Sequence, residues 1–157
     1  MCFFLDELCL RSNNKLVNVL VKTFKDIANE REEFFSLLIP YFTKEEFQKD
    51  SKLWSQGSSS DCIYVVEQGQ LRIISRDDKT NMIEPLTMVG ELGFFAGNQR
   101  QTSLVTTSQC VLWKMDQFAY MKIMIDNRIL GIAFMKLAMK FHAVKLNNLN
   151  NHDIDLS

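Results

Sequence analysis

The sequence predicts an α+β fold in which a β sandwich or barrel is held between helical ends. Three observations carry that prediction. Apolar residues recur at helical spacing up to Pro40 and again after Asp116, whereas across residues 52–114 they fall in short extended runs. Turn clusters such as Gly57-Ser58-Ser59-Ser60-Asp61 and Arg76-Asp77-Asp78-Lys79 separate those runs. The 157 residues are 46% hydrophobic and 24% charged, the balance of one ordinary globular domain and not of a disordered, collagen-like or low-complexity chain.

The first helix is expected over residues 15–28, where Val17, Val21, Phe24 and Ala28 form a stripe that Leu16, Leu20 and Ile27 widen. A second short helix over residues 32–38 should stop at Pro40, which disfavours helix in the residue before it. Thr43-Lys44-Glu45-Glu46 fits a capping box, although extended sequence follows it.

Strands are expected at Leu53-Trp54, at the buried-type run Ile63-Tyr64-Val65-Val66, and from Leu71 to Ile74 beyond Gly69. Residues 82–88 read as one further extended piece, with Pro85 marking an edge or bend. Residues 103–107 and 110–114 complete the series.

Helix returns at Asp116, a good N-cap residue, with Phe118, Met121 and Ile125 on one face and a break or second cap at Asp126-Asn127. From there Leu130, Phe134, Leu137, Phe141 and Val144 recur at helical spacing, and Lys136, Lys140 and Lys145 lie off that stripe, where water can reach them. Met121, Met124, Met135 and Met139 suit either a packing seam or an adaptable ligand surface. Residues 147–157 read as a flexible polar tail.

Composition excludes several functions. Eighteen basic and 19 acidic residues leave a net charge of −1, so no single-sign field draws in nucleic acid or an anionic membrane. The apolar stretch at residues 34–43 is half the roughly 20 residues of a membrane span. The chain is therefore expected to be soluble as it stands, by itself or as a soluble piece of a membrane protein. Met1-Cys2-Phe3-Phe4-Leu5 is too short for a signal peptide and has no basic flank. Cys2, Cys9, Cys62 and Cys110 form no CxxC pair, and His142 and His152 lie far from them, so reduced thiols and no metal site are expected. No nucleophile and base pair is apparent, so no catalytic residue is assigned.

The stretch with chemistry is residues 89–103. Gly90 and Gly93 flank Glu91 and allow close backbone approach, and Arg100 follows nine positions after the acid. A helix starting near Glu91 would turn free N–H groups towards an anion. Arg100 can grip a phosphate through paired, charge-assisted hydrogen bonds, and Glu91 can accept from a ribose hydroxyl. Such a set suits one sugar-phosphate, not a polymer. The alternative is a surface turn in which Glu91 and Arg100 pair with each other.

Gly90-Glu91-Leu92-Gly93-Phe94-Phe95 followed by Arg100 resembles the phosphate-binding cassette of cyclic-nucleotide-binding domains. Leu53-Trp54-Ser55-Gln56-Gly57 through Ile63-Tyr64-Val65-Val66 to Gly69 resembles the upstream signature of that family. The resemblance covers residues 34–146. It implies an eight-stranded β jelly roll with N-terminal helices and a long C-terminal lid helix. It divides the chain into a helical segment at 1–42, the roll at 43–116 with its cassette at 89–103, and C-terminal helices at 117–146. By position, Glu91 would take the ribose 2′-hydroxyl and Arg100 the cyclic phosphate. Gly90, Leu92 and Gly93 would give backbone contacts, Thr102 would line the pocket, and Phe134, Leu137 and Phe141 would form the lid. The implied ligand is cAMP or cGMP, with no cofactor required. Gln101 departs from the small residue common after the arginine, and Gln99 from a frequent proline. Gln101 can either fill the phosphate site or donate to it.

Leu37-Leu38-Ile39-Pro40-Tyr41-Phe42-Thr43, Leu53-Trp54-Ser55-Gln56-Gly57 and Val111-Leu112-Trp113-Lys114-Met115-Asp116, with the cassette running into Phe94-Phe95, also resemble the C-terminal cyclic-nucleotide-binding-like domain of fungal SulP (sulfate-permease-like) transporters. That resemblance implies transmembrane and STAS regions as partners and a cytoplasmic place, on the cytosolic face of a vacuolar or other membrane. Two readings follow: a sensor that relays nucleotide occupancy through its last helix, or an interaction scaffold of the same fold that binds no nucleotide.

Overall fold

The computed structural model describes residues 15–27 and 32–155. Helix α1 spans residues 15–23. Leu16, Val19, Leu20, Thr23 and Phe24 are buried, while Val17 and Val21 are only half-buried. The inward stripe thus runs at i, i+3, i+4, i+7 and i+8, one residue round the helix from the expected line. It wins because it carries two leucines and a phenylalanine. Thr23 joins it at little cost, since its hydroxyl donates to the Val19 carbonyl at 2.7 Å. Ala28 lies outside the described residues.

Helix α2 (Glu32–Leu38) runs into a 3-10 turn, Ile39–Tyr41, that holds Pro40. The Phe24 and Phe35 rings stack at 5.9 Å and tie α1 to α2. The capping-box residues then form strand β1 (Thr43–Phe47), not a helix start. A full antiparallel register, Thr43 opposite Lys114 to Phe47 opposite Cys110, satisfies their backbone through the sheet.

Seven more strands follow among the described residues: β2 (Lys52–Trp54), β3 (Cys62–Gln68), β4 (Leu71–Ile74), β5 (Thr80–Ile83), β6 (Thr87–Val89), β7 (Ser103–Thr106) and β8 (Cys110–Asp116). They make two four-stranded antiparallel sheets, β1-β8-β3-β6 and β2-β7-β4-β5, the expected jelly roll. β3 is buried on both faces. Cys62, Tyr64 and Val66 point between the sheets with Leu71, Leu104 and Leu112, whereas Ile63 and Val65 meet the helices. That is why its sequence is continuously apolar and does not alternate.

The extended piece at 82–88 is two strands in different sheets. β5 pairs with β4, and β6 pairs with β3. The chain crosses between them at Pro85 and Leu86, where Leu86 takes a φ of 64° and its N–H donates to the Val66 carbonyl at 2.8 Å. Pro85 marked a bend, but the change of sheet needs the third dimension.

Short helix α3 (Glu91–Ala96) follows β6. Helix α4 (Gln117–Asp126) opens on Asp116, whose carboxylate accepts from the Ala119 N–H at 2.8 Å. Asn127 caps the next helix, α5 (Arg128–Asp155), by accepting from the Leu130 N–H at 3.2 Å. The α4 stripe faces outward: Phe118, Met121 and Ile125 are 81%, 57% and 81% exposed, and Ile123 is the buried residue. With one residue between the helices, the seat of α5 decides which side of α4 is covered. Tyr120 fixes it by donating to the Gly131 carbonyl at 2.9 Å.

Helix α5 continues to Asp155 through residues expected to be a tail. Leu130, Phe134, Leu137 and Ala138 are buried along its first half. The Phe134 ring meets Phe42 and Phe95 edge-on, at 6.3 and 6.1 Å. The half-buried Phe141 meets Phe24, just after α1, edge-on at 5.5 Å, and packs on the same core that holds Val65 and Met88 of the roll. Cys62 and Cys110 are free and buried, and Cys2 and Cys9 lie outside the described residues. Among the described residues no helix is long and apolar enough to cross a membrane.

Candidate ligand pocket

The pocket begins where β6 ends. Gly90 holds a φ of 84° at the N-cap of α3, a conformation that favours glycine. A Cβ there would stand 2.5 Å from Arg100 Nη1 and 3.0 Å from the Trp54 ring. A Cβ on Gly93 would strike the Ser60 hydroxyl, so this glycine lets α3 rest on the loop before β3. That loop also holds the arginine. Gly57 N–H donates to the Arg100 carbonyl and Arg100 N–H to the Ser58 carbonyl, both at 2.8 Å. The two motifs, far apart in the chain, are thus one structural unit.

The Arg100 side chain is 4% exposed. It donates through Nη1 to the Gly90 carbonyl at 3.0 Å and through Nη2 to the Cys62 carbonyl. Its guanidinium centre lies 3.7 Å over the Trp54 ring, a cation–π contact. Burial pushes its pKa below the usual arginine value, with Cys62 acting in the opposite sense. Burial also pushes up the Cys62 thiol, against the pull of Arg100.

Glu91 is 1% exposed. Its Oε1 lies 2.7 Å from Lys145 Nζ and 3.0 Å from His142 Nδ1, both on α5. Its Oε2 is buried with no hydrogen-bond partner among the described residues. Glu91 and Arg100 therefore sit side by side in the site, each engaged elsewhere, and do not form the surface pair weighed from sequence.

Gly90, Glu91, Leu92, Gly93, Arg100, Gln101 and Thr102 all line one open cleft. Leu92 is exposed at its mouth and Thr102 half-buried. Gln101 is exposed and donates to its own neighbour, the Gln99 carbonyl, at 3.2 Å. It folds back on the loop and leaves the cleft unfilled.

The lid residues Phe134, Leu137 and Phe141 are not on the cleft wall. Their stripe is spent on the core between the helices and the roll, which includes Ile63, Val65 and Met88. Helix α5 reaches the cleft through His142 and Lys145, on the adjacent line of the helix, and Trp54 and Ile73 complete the wall. Sequence reading left Lys145 in water. The signal for its role was a histidine and a lysine three apart, one position round from the apolar stripe, where a buried carboxylate can recruit both. Trp54 stood in the upstream signature without a role, and the stacking partner it offers an arginine was the clue.

A jelly roll with a buried acid and a buried arginine on one cleft has the make-up of a small-ligand pocket. The family model of the cyclic nucleotide-binding domain matches residues 44–127, and the chain belongs to that family. It is 28% identical over 121 residues to the cAMP-dependent protein kinase regulatory subunit of Yarrowia lipolytica, covering 73% of this chain and 32% of that one. The chain thus spans about a third of the length of that relative. Among solved structures it resembles a cyclic nucleotide-binding domain from Methylobacillus flagellatus, with a TM-score of 0.79, 13% identity, and 94% and 85% of the two chains covered. It also resembles the regulatory domain of Toxoplasma gondii protein kinase A, solved with cAMP, with a TM-score of 0.60, 19% identity, and 71% and 44% covered. The expected kinship with SulP transporters finds no support in these relatives, which are kinase regulatory subunits and cyclic nucleotide-binding domains.

Proposed function

We propose that this chain is a non-enzymatic regulatory module that binds cAMP or cGMP in the cleft and relays occupancy through α5. The observation that carries the reading is the pairing of a buried carboxylate, with one oxygen unpartnered, and a buried arginine on the same cleft wall. A buried acceptor with no donor is costly, and a ligand hydroxyl supplies one. Glu91 Oε2 takes the ribose 2′-hydroxyl. Arg100, with five N–H groups and two carbonyl partners, has donors left for the cyclic phosphate. Gly90, Leu92 and Gly93 offer backbone contact, and Thr102 a hydroxyl. Occupancy then shifts α5 by differential affinity for its two positions. The likeness to kinase regulatory subunits supports a protein kinase as the regulated partner. No observation supports transmembrane or STAS partners.

The scaffold reading keeps one observation in its favour. Both charged side chains already have partners within the chain, Arg100 on two carbonyls and Glu91 on Lys145 and His142. Calorimetric titration with cAMP, cGMP and the 2′-deoxy form of cAMP separates the two. The sensor predicts saturable heat that weakens for the deoxy ligand. The scaffold predicts none at millimolar concentration.

A further inference from the structure

We propose that Trp54 is the positioning residue of the phosphate contact: its ring, and not a carboxylate, holds the Arg100 guanidinium, so the cleft keeps a fixed positive charge for an anionic ligand. The inference rests on the nucleotide reading above and names what sets that site's arginine.

A buried arginine ordinarily stands against an acid, because burying an unpaired charge is expensive. Arg100 does not. Among the described residues no carboxylate lies within ion-pair distance of it, and the acid of the cleft, Glu91, is taken by Lys145 and His142. The carbonyls of Gly90 and Cys62 and the π face of Trp54 stand in place of the acid. Carbonyl dipoles and an aromatic face stabilise a cation without cancelling its charge. The cleft wall thus carries two basic side chains, Arg100 and Lys145, against one acid. That excess suits an anion such as a phosphate.

The placing of Trp54 begins in its strand. Adjacent residues of a regular strand point to opposite faces. In β2 the register slips between Lys52, opposite Val105, and Trp54, opposite Leu104, so β2 carries one extra residue. Leu53 and Trp54 accordingly both pack on the core between the sheets. Next to Trp54 lies Tyr64, near-parallel at 6.2 Å, and Phe47 meets Tyr64 edge-on at 6.1 Å. Trp54 Nε1 is buried without a hydrogen-bond partner among the described residues, so packing fixes the ring. Gly90 completes the slot, since a Cβ there would meet both the ring and Arg100 Nη1. Three residues after Trp54, Gly57 holds the Arg100 backbone. One short segment, residues 54–57, therefore sets both ends of the arginine before any ligand arrives.

The test uses the whole chain, with calorimetry against cAMP and the Arg100 Nε–H resonance in nitrogen-edited NMR. That Nε is buried, which slows its exchange with water. Trp54→Leu keeps apolar bulk and removes the π face, and should weaken cAMP binding about fivefold or more. Trp54→Phe keeps a ring and should stay within about threefold of wild type. In an Arg100→Ala background Trp54→Leu should change affinity by less than about twofold, because its effect runs through the arginine. Without ligand, the Arg100 Nε–H should be shifted by the ring in wild type and Trp54→Phe, and should return to the ordinary arginine range in Trp54→Leu. Trp54→Met takes the place of the leucine variant if that one loses its cooperative melt. Three results overturn the positioning role and leave the nucleotide reading standing: wild-type affinity in Trp54→Leu, an equal loss in the Arg100→Ala background, or an unmoved Arg100 resonance. No binding by wild type overturns both.

Discussion

Arg100 is held so completely by its own chain that its removal has two measurable effects. Arg100→Ala loses charge-assisted hydrogen bonds to two carbonyls and the stack on Trp54. It should cost about 1.5–3 kcal/mol in denaturant melts, and the phosphate contact should bring a further drop of roughly 10- to 150-fold in nucleotide affinity. Undiminished binding would remove Arg100 from the site. Gln101→Ala should leave affinity within about twofold, because that exposed side chain is already tied to the Gln99 carbonyl at the cleft wall. Tighter binding by tenfold would show that it blocks the phosphate. Cys62 carries a pH-dependent consequence. Burial holds its thiol pKa above the unfolded value, so the native state favours the protonated form. Its contribution to stability is complete below the ordinary thiol pKa of about 8.5 and is lost as pH rises through the higher folded value. Mass-spectrometric mapping after iodoacetamide at pH 8 should find Cys62 modified more slowly in the native chain than in urea.

At the scale of the element, α5 has two different halves, and truncations should show it. Phe134 is fully buried among Phe42, Phe95 and the helical core, so Phe134→Ala should cost about 3–5 kcal/mol. Phe141 is half-buried against Phe24, so Phe141→Ala should cost well under half of that, with unfolding in urea as the measurement. Equal losses would mean that the far half of α5 is as firmly packed as the near half. Elements were read from sequence unevenly. The caps at Asp116 and Asn127 and the stop at Pro40 were legible because their physics is local. The inward face of α4 was not, since Phe118, Met121 and Ile125 make as good an apolar stripe as any buried one. Only the turn at Asn127 decides that they face water.

For the whole molecule, ligand binding is a stability term. At about 100 times the dissociation constant a nucleotide that binds only the folded state adds about 2.7 kcal/mol. For a domain of this length that corresponds to a rise in Tm of about 5–10 °C. Differential scanning fluorimetry should show it with wild type and largely lose it with Arg100→Ala. No rise with either cAMP or cGMP would favour the scaffold. What the sequence determined by itself was the α+β class, six extended runs in outline, and, with the family resemblance, the seven cassette residues that line the cleft. Period, turn chemistry and the spacing of Glu91 from Arg100 are properties of neighbours along the chain, and β3 announced its burial by being apolar throughout. The tertiary structure alone decided which sheet each half of residues 82–88 joins, and that Gly57 and Ser58 hold the backbone of Arg100. It also decided that α5 meets Glu91 through Lys145 and His142 and not through its phenylalanines. Those contacts span about 40 to 60 residues of chain, and a lysine bound for water and one bound for a buried carboxylate look alike until the fold brings the carboxylate to it.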